Sequence, residues 1–237
     1  MLVDKKIYAV IMAAGSGSRM GGSVPKQFLP LGGVPILRRT IEKFTRACPG
    51  VQIVTVLPKD SIPEWKRYCA EHFPHCPQLL VEGGITRFHS VRNALAKIPD
   101  GVTVAVQDGV RPLLSVDLIR RMLARMEEVR ALIPVVPMVD TLKVLERDAG
   151  GELRTAPGAE ADRSCIFGAQ TPQMFRSEDL KAAYAQAYDR SFTDDASVVR
   201  RKEIPLSYIE GERFNLKITT PDDLQLAEAI LRITGEN

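Results

Sequence analysis

The sequence predicts an α/β fold: a mostly parallel, twisted sheet with helices on both faces. Three observations carry that reading. Short apolar runs alternate with helix-period patterns along most of the chain. The runs are bounded by glycine and proline. The 237 residues, 45% hydrophobic and 26% charged, suit one domain with one core. In such a sheet ligands gather at the carboxyl ends of the strands.

The first strand is the apolar run Ile7–Met12. With Lys5-Lys6 before it, the run imitates a short secretory leader. Asp4 among the lysines, and a glycine loop where cleavage would fall, argue against one. A helical pattern begins near Pro35 and places Ile36, Leu37, Ile41 and Phe44 on one face. Val51–Leu57, Leu79–Val81, Val102–Val106 and Ala131–Val136 read as further strands. Helical stretches fall near Pro63–Glu71, Arg87–Lys97 and Asp117–Val129. This βαβ alternation is Rossmann-like.

From about Met138 to Cys165 the pattern changes. Thr141–Leu145 alternates weakly, Asp148–Gly151 turns, and Thr155–Asp162 has little apolar content. The segment reads as a projecting hairpin, a β-arm that cannot bury itself well alone. Core patterning resumes with a helix over Ser177–Tyr188, a short helix over Asp195–Arg201 and a strand over Ile204–Ile209. Thr219 or Thr220 caps the last helix, with Pro221 in its first turn and Asp222-Asp223 near the positive end of its dipole. The chain thus reads as one domain, 1–237, with an arm at about 138–165.

A net charge of +3 is too mild for a nucleic-acid partner but suits small anionic substrates. No run approaches the ~18 apolar residues of a membrane span. Four cysteines make no disulfide scaffold, so a reducing cytoplasm is the expected location. Cys69, His72, His75 and Cys76 are packed too tightly, around Pro74, to surround one zinc ion tetrahedrally.

The functional centre is Ala13–Pro30, between the first strand and first helix. It holds four glycines, two prolines and only two cations, Arg19 and Lys26. Glycine lets backbone N–H groups turn toward a ligand, and the cations can meet phosphate oxygens. Ala13, Ala14, Gly15 and Gly17 are the candidate cradle. The dinucleotide fingerprint does not fit, because its third glycine position is Met20. The P-loop does not fit either, because no Gly-Lys pair exists in the chain.

The string A-A-G-x-G-x-R-M followed by P-K-Q-F resembles the signature loop of sugar-phosphate and alditol-phosphate nucleotidyltransferases. It is most similar to that of the 2-C-methyl-D-erythritol 4-phosphate cytidylyltransferase family, which serves isoprenoid-precursor synthesis. Later stretches agree in order and spacing over nearly the whole chain. Glu82–Arg87 has Gly83 and Gly84, with Arg87 and Ser90 one turn on. Alone it is a turn; the resemblance makes it the cytosine and ribose site. Many relatives carry an acidic residue where Ile85 stands, so no ribose contact is assigned there. Gln107–Pro112 sets Asp108 at a strand's carboxyl end, able to orient substrate hydroxyls or help position Mg²⁺. Arg111 is either a substrate contact or the structural partner of Asp108. Relatives usually have His where Gln107 stands.

By the same resemblance, Thr141, Arg163 and Thr171 approach the acceptor, and Lys217 contacts its phosphate. Thr193-Asp194-Asp195 reads as a helix cap. The implied reaction transfers a cytidylyl group from CTP to a small alditol phosphate, with Arg19, Lys26, Arg163 and Lys217 as the working cations. Mg²⁺ is implied, held mainly by the nucleotide phosphates. A homodimer is implied too, its arms exchanged between subunits. The sister reading is a ribitol 5-phosphate cytidylyltransferase; a non-catalytic nucleotide sensor is the other.

Overall fold

The computed structural model describes residues 6–15, 24–156 and 162–235. Strand β1 (Ile7–Met12) lies inside the main sheet, and its Ala9, Val10 and Ile11 are fully buried. A strand covered on both faces needs apolar residues at successive positions, which is why it reads as an unbroken run. After a small hairpin, β2 (Pro30–Leu31) with β3 (Val34–Pro35), the chain enters α1 (Ile36–Ala47). Then come β4 (Gln52–Leu57), α2 (Ile62–His72), β5 (Gln78–Glu82), α3 (Arg87–Leu95), β6 (Thr103–Asp108), α4 (Val116–Arg125) and β7 (Ala131–Pro137). β1 pairs in parallel with β4 and β6, and β4 pairs in parallel with β5.

Helices cover both faces. Phe88 of α3 and residues of α5 (Ser177–Tyr184) and α6 (Asp195–Arg200) pack on one side. Leu37 and Phe44 of α1, Trp65 of α2 and Leu118 of α4 pack on the other. The last helix, α7 (Pro221–Thr234), buries Ala227, Ile230 and Leu231 in a third cluster with Leu31 and Ile218. Thr220 is its cap, and Asp223 closes a capping box.

Several expected element bounds are corrected; α5, for one, ends at Tyr184 rather than Tyr188. α3 and α4 stop short of Lys97 and Val129, because their last turns tighten to three-residue bonds such as Lys97 N–H to Ala94 O and Glu128 N–H to Arg125 O. The sheet is mostly parallel, as expected, with two antiparallel members. Strands β10 (Phe167–Ala169) and β11 (Gln173–Arg176) both run antiparallel to β7. β11 lies between β6 and β7, antiparallel to both, with Met174 and Phe175 fully buried. Four residues beside a proline give little strand signal. The expected strand at Ile204–Ile209 is shorter and later: β12 (Ser207–Glu210), parallel to the other edge of β7.

Within residues 138–165, β8 (Leu145–Arg147) and β9 (Leu153–Thr155) form a separate two-stranded sheet. All six of their residues are exposed.

Candidate active site

β1 and β6 run side by side in register, so Met12 lies opposite Asp108. Their carboxyl ends open into a cleft of about 410 Å³. Ala13, Ala14 and Gly15 line it from the end of β1, and Asp108 from the end of β6. Gly84, Arg87 and Ser90 form a further part of its lining, and Lys26 and Lys217 complete the set of predicted residues that the fold gathers there. Three cations and one carboxylate thus line the cleft among the described residues. Such a site favours a polyanion.

Short polar contacts hold the walls. The Ala13 N–H donates to Val56 O at 2.9 Å. The Gln27 amide, nearly fully buried, donates to Ala13 O at 2.8 Å and so ties the later part of the loop back to β1. Sequence reading missed this role; a glutamine beside Lys26 in an otherwise apolar Phe-Leu-Pro context was its only signal. Opposite, the Gly83 N–H donates to Leu57 O at 2.8 Å and the Gly84 N–H to Ser90 Oγ at 2.9 Å. A Cβ on Gly83 would sit 2.5 Å from Ala14 Cβ, and one on Gly84 2.5 Å from His89 Cβ. The glycines are therefore required by close approach, and Gly83 joins the β5 loop to the β1 loop. Ser90, predicted to bind nucleotide, also donates to Thr86 O at 3.0 Å and so braces this turn. Ile85 is 95% exposed at the rim.

Asp108 is the electrostatic centre. Lys217 Nζ lies 3.0 Å and Arg111 Nε 3.2 Å from its Oδ2. Burial alone would push its pKa up, but the charges of Lys217, Arg87 and Arg111 outweigh burial and hold it below the usual carboxylate range. Asp108 is therefore ionised at neutral pH.

Arg111 and Thr171 are not cleft walls. Arg111, 12% exposed in its side chain, also donates to Asn215 O at 2.7 Å. Thr171 Oγ1 accepts the Asp108 N–H at 3.1 Å. Both brace Asp108, so Arg111 is its structural partner as the sequence allowed, and Thr171 holds its backbone. Gln107 is fully buried in β6 and donates to Arg111 O at 3.4 Å.

Asp195 is also corrected. Asp194, not Asp195, caps α6, its Oδ1 accepting the Ser197 N–H at 2.8 Å. Asp195 is fully buried and grips Arg87 with both oxygens, at 2.9 and 2.6 Å. Burial opposes the Arg87 charge, but Asp195 more than offsets it and raises the pKa above the ordinary arginine value. The cap signal masked this pairing, since the partners are 108 positions apart.

Two predicted residues lie away from the cleft. Thr141 is exposed. Arg163, in a 3₁₀ turn (Arg163–Cys165), donates to Val139 O at 2.8 Å. Gly17 and Arg19 lie outside the described residues. A larger groove of about 570 Å³, lined in part by Phe167, Thr193 and Tyr208, has Arg200 and Asp194 as its charged residues. It lacks the excess of cations that marks the cleft.

The model of the family described as 2-C-methyl-D-erythritol 4-phosphate cytidylyltransferase matches residues 7–233. A protein of that name from Bacteroides thetaiotaomicron is 45% identical over 222 residues, covering 94% of this chain and 98% of its own. One from Porphyromonas gingivalis is 43% identical over 231 residues, covering 97% and 99%. The crystal structure of the Thermus thermophilus protein of the same name superposes with a TM-score of 0.74 at 31% identity, covering 96% of this chain and 99% of that one. With sequence, architecture and the gathered cleft residues in agreement, this chain belongs to the 2-C-methyl-D-erythritol 4-phosphate cytidylyltransferase family.

Proposed function

We propose that this enzyme transfers the cytidylyl group of CTP to 2-C-methyl-D-erythritol 4-phosphate and releases pyrophosphate. Membership of the family gives the reaction. The observation in the fold that carries the site is the convergence of Lys26, Arg87 and Lys217 around Asp108 at the carboxyl ends of β1 and β6.

An acceptor phosphate oxygen attacks the α-phosphorus in line. A new P–O bond forms there, the α–β bridging P–O bond breaks, and pyrophosphate leaves with that electron pair. The acceptor phosphate has a second pKa near ~6 and is largely dianionic at neutral pH. It needs no general base. The enzyme must instead bring two polyanions together and stabilise charge moving onto the leaving oxygens. Lys26 and Arg19 are assigned to the triphosphate, and the Ala13–Gly17 backbone to its oxygens. Gly83, Gly84, Arg87 and Ser90 are assigned to cytosine and ribose. Lys217 is assigned to the acceptor phosphate, with Asp108 holding the lysine and orienting acceptor hydroxyls.

The donor set supports Mg²⁺ held mainly by the nucleotide phosphates. Asp108 is the one carboxylate lining the cleft, and no group of three His, Cys, Asp or Glu able to hold an ion occurs among the described residues. One carboxylate with the rest of the shell from substrate phosphates and water fits Mg²⁺. Bound so, Mg²⁺ supplies polarisation of the phosphoryl oxygens.

Arg163 and Thr141 lie away from the cleft of their own chain, and we assign them to the acceptor site of a second subunit in a homodimer. We place the enzyme in the cytoplasm; no helix among the described residues is long and apolar enough to cross a membrane. Pyrophosphate release tests the reaction. It should be fastest with CTP among CTP, UTP, ATP and GTP, and with 2-C-methyl-D-erythritol 4-phosphate over ribitol 5-phosphate. Equal turnover with a purine nucleotide, or a preference for ribitol 5-phosphate, would overturn the corresponding half of the assignment.

A further inference from the structure

We propose that Asp195, held by Tyr184, is a positioning residue that fixes the Arg87 guanidinium as a wall of the nucleotide cleft. The inference rests on the cytidylyl-transfer reading above.

Asp195 is the first residue of α6 and is fully buried. Its Oδ1 accepts from Arg87 Nη1 at 2.9 Å and from the Tyr184 hydroxyl at 2.5 Å; its Oδ2 accepts from Arg87 Nη2 at 2.6 Å. α6 does not need this carboxylate to begin, because Asp194 and Ser197 already form its capping box. Nor is a buried ion pair an efficient source of stability, since an apolar pair of similar volume commonly serves as well. The pair therefore calls for a role beyond cohesion.

That role follows from where Arg87 lies. It opens α3, directly after the Gly83–Thr86 loop, and its side chain keeps 33% exposure while lining the cleft. Arg87 and Asp108 line the same cleft. Both Nη groups of Arg87 are taken by Asp195, which fixes the guanidinium in that wall. Asp108 pairs with Lys217 and Arg111, at 3.0 and 3.2 Å. Remove the Asp195 charge, and the guanidinium loses the carboxylate that orients it. Tyr184 makes the clamp rigid: its ring stacks on Phe88, the neighbour of Arg87, with centroids 4.7 Å apart.

The test uses Asp195→Asn, Tyr184→Phe, Arg87→Ala and the Arg87→Ala/Asp195→Asn double variant. CTP affinity is measured by calorimetry without acceptor, alongside kcat, KM and Tm. Losing a charge-assisted clamp should raise Kd and KM for CTP about tenfold in Asp195→Asn and about threefold in Tyr184→Phe, with kcat within about threefold. The double variant should bind CTP no more weakly than Arg87→Ala, because Asp195 acts through Arg87. A folded Asp195→Asn enzyme with lowered Tm but unchanged CTP affinity would overturn the proposal, as would additive losses in the double variant. If Asp195→Asn does not fold, Tyr184→Phe decides: a raised Kd supports the clamp and an unchanged one overturns it. Wild-type enzyme that neither binds CTP nor releases pyrophosphate would overturn the functional reading itself, and is distinguished by that control.

Discussion

The cleft and the 138–165 segment are built in opposite ways. Around the cleft, Gln27, Ser90 and Asp108 are buried, and each has its partners within the same chain. In the segment, Thr141 and both strands of the β8–β9 hairpin are exposed, Leu153 by 58%, and Arg163 donates to the Val139 carbonyl. A buried polar network has one low-energy arrangement, because any broken contact leaves an unsatisfied group. An exposed hairpin of three-residue strands lacks that constraint. The contrast teaches that one chain by itself holds the described cleft residues in place. The arm holds no such network among its described residues, in keeping with the proposal that Arg163 serves a second subunit.

The largest effect expected breaks the comparison if it fails. Lys26→Ala and Arg163→Ala should each lower kcat by about 10²-fold or more, as loss of a transition-state cation does. Unfolded and refolded together, the two inactive enzymes should recover about a quarter of wild-type activity. Half of the dimers are then mixed, and each mixed dimer has one site with both lesions and one with neither. Mixed dimers that form, yet stay as inactive as the separate variants, would return Arg163 to its own subunit.

A smaller effect sharpens the cleft's side of the comparison. Gly83→Ala forces its Cβ against Ala14, 2.5 Å away, and must displace one of the two cleft loops. KM for CTP should rise about tenfold, while the acceptor KM stays within about twofold. Normal CTP kinetics in this variant would mean that the loops yield and the cleft is not pre-formed.

The smallest effect is on stability. The folded pKa of Asp108 lies below its ordinary value, because the nearby cations outweigh burial. Its stabilising share is therefore whole above the unfolded pKa of about 3.9 and is lost as pH falls through the lower folded value. Thermal unfolding should show Asp108→Asn less stable than wild type near neutrality, with the gap closing in the acid range below about pH 4. A gap that stays constant down to pH 3 would show that Asp108 is not held by its charge.

The sequence by itself determined the parts governed by local chemistry. The buried β1 run, the glycine loops after β1 and β5, Asp108 at the end of β6 and the Thr220-capped α7 follow from residue type and spacing among near neighbours. It also singled out Lys26, one of only two cations in the Ala13–Pro30 loop, while Lys217 was singled out by the family resemblance. Only the tertiary structure decided which distant groups meet. Asp195 is bound to Arg87 rather than capping its helix, and Arg111 with Thr171 props Asp108 from behind. Gln27 ties Lys26's loop to β1, and β11 slips antiparallel between β6 and β7. The physical reason is common to all of these. A side chain's role as wall, clamp or support is set by which partner burial leaves within hydrogen-bond reach, and sheet order, not sequence distance, fixes that partner.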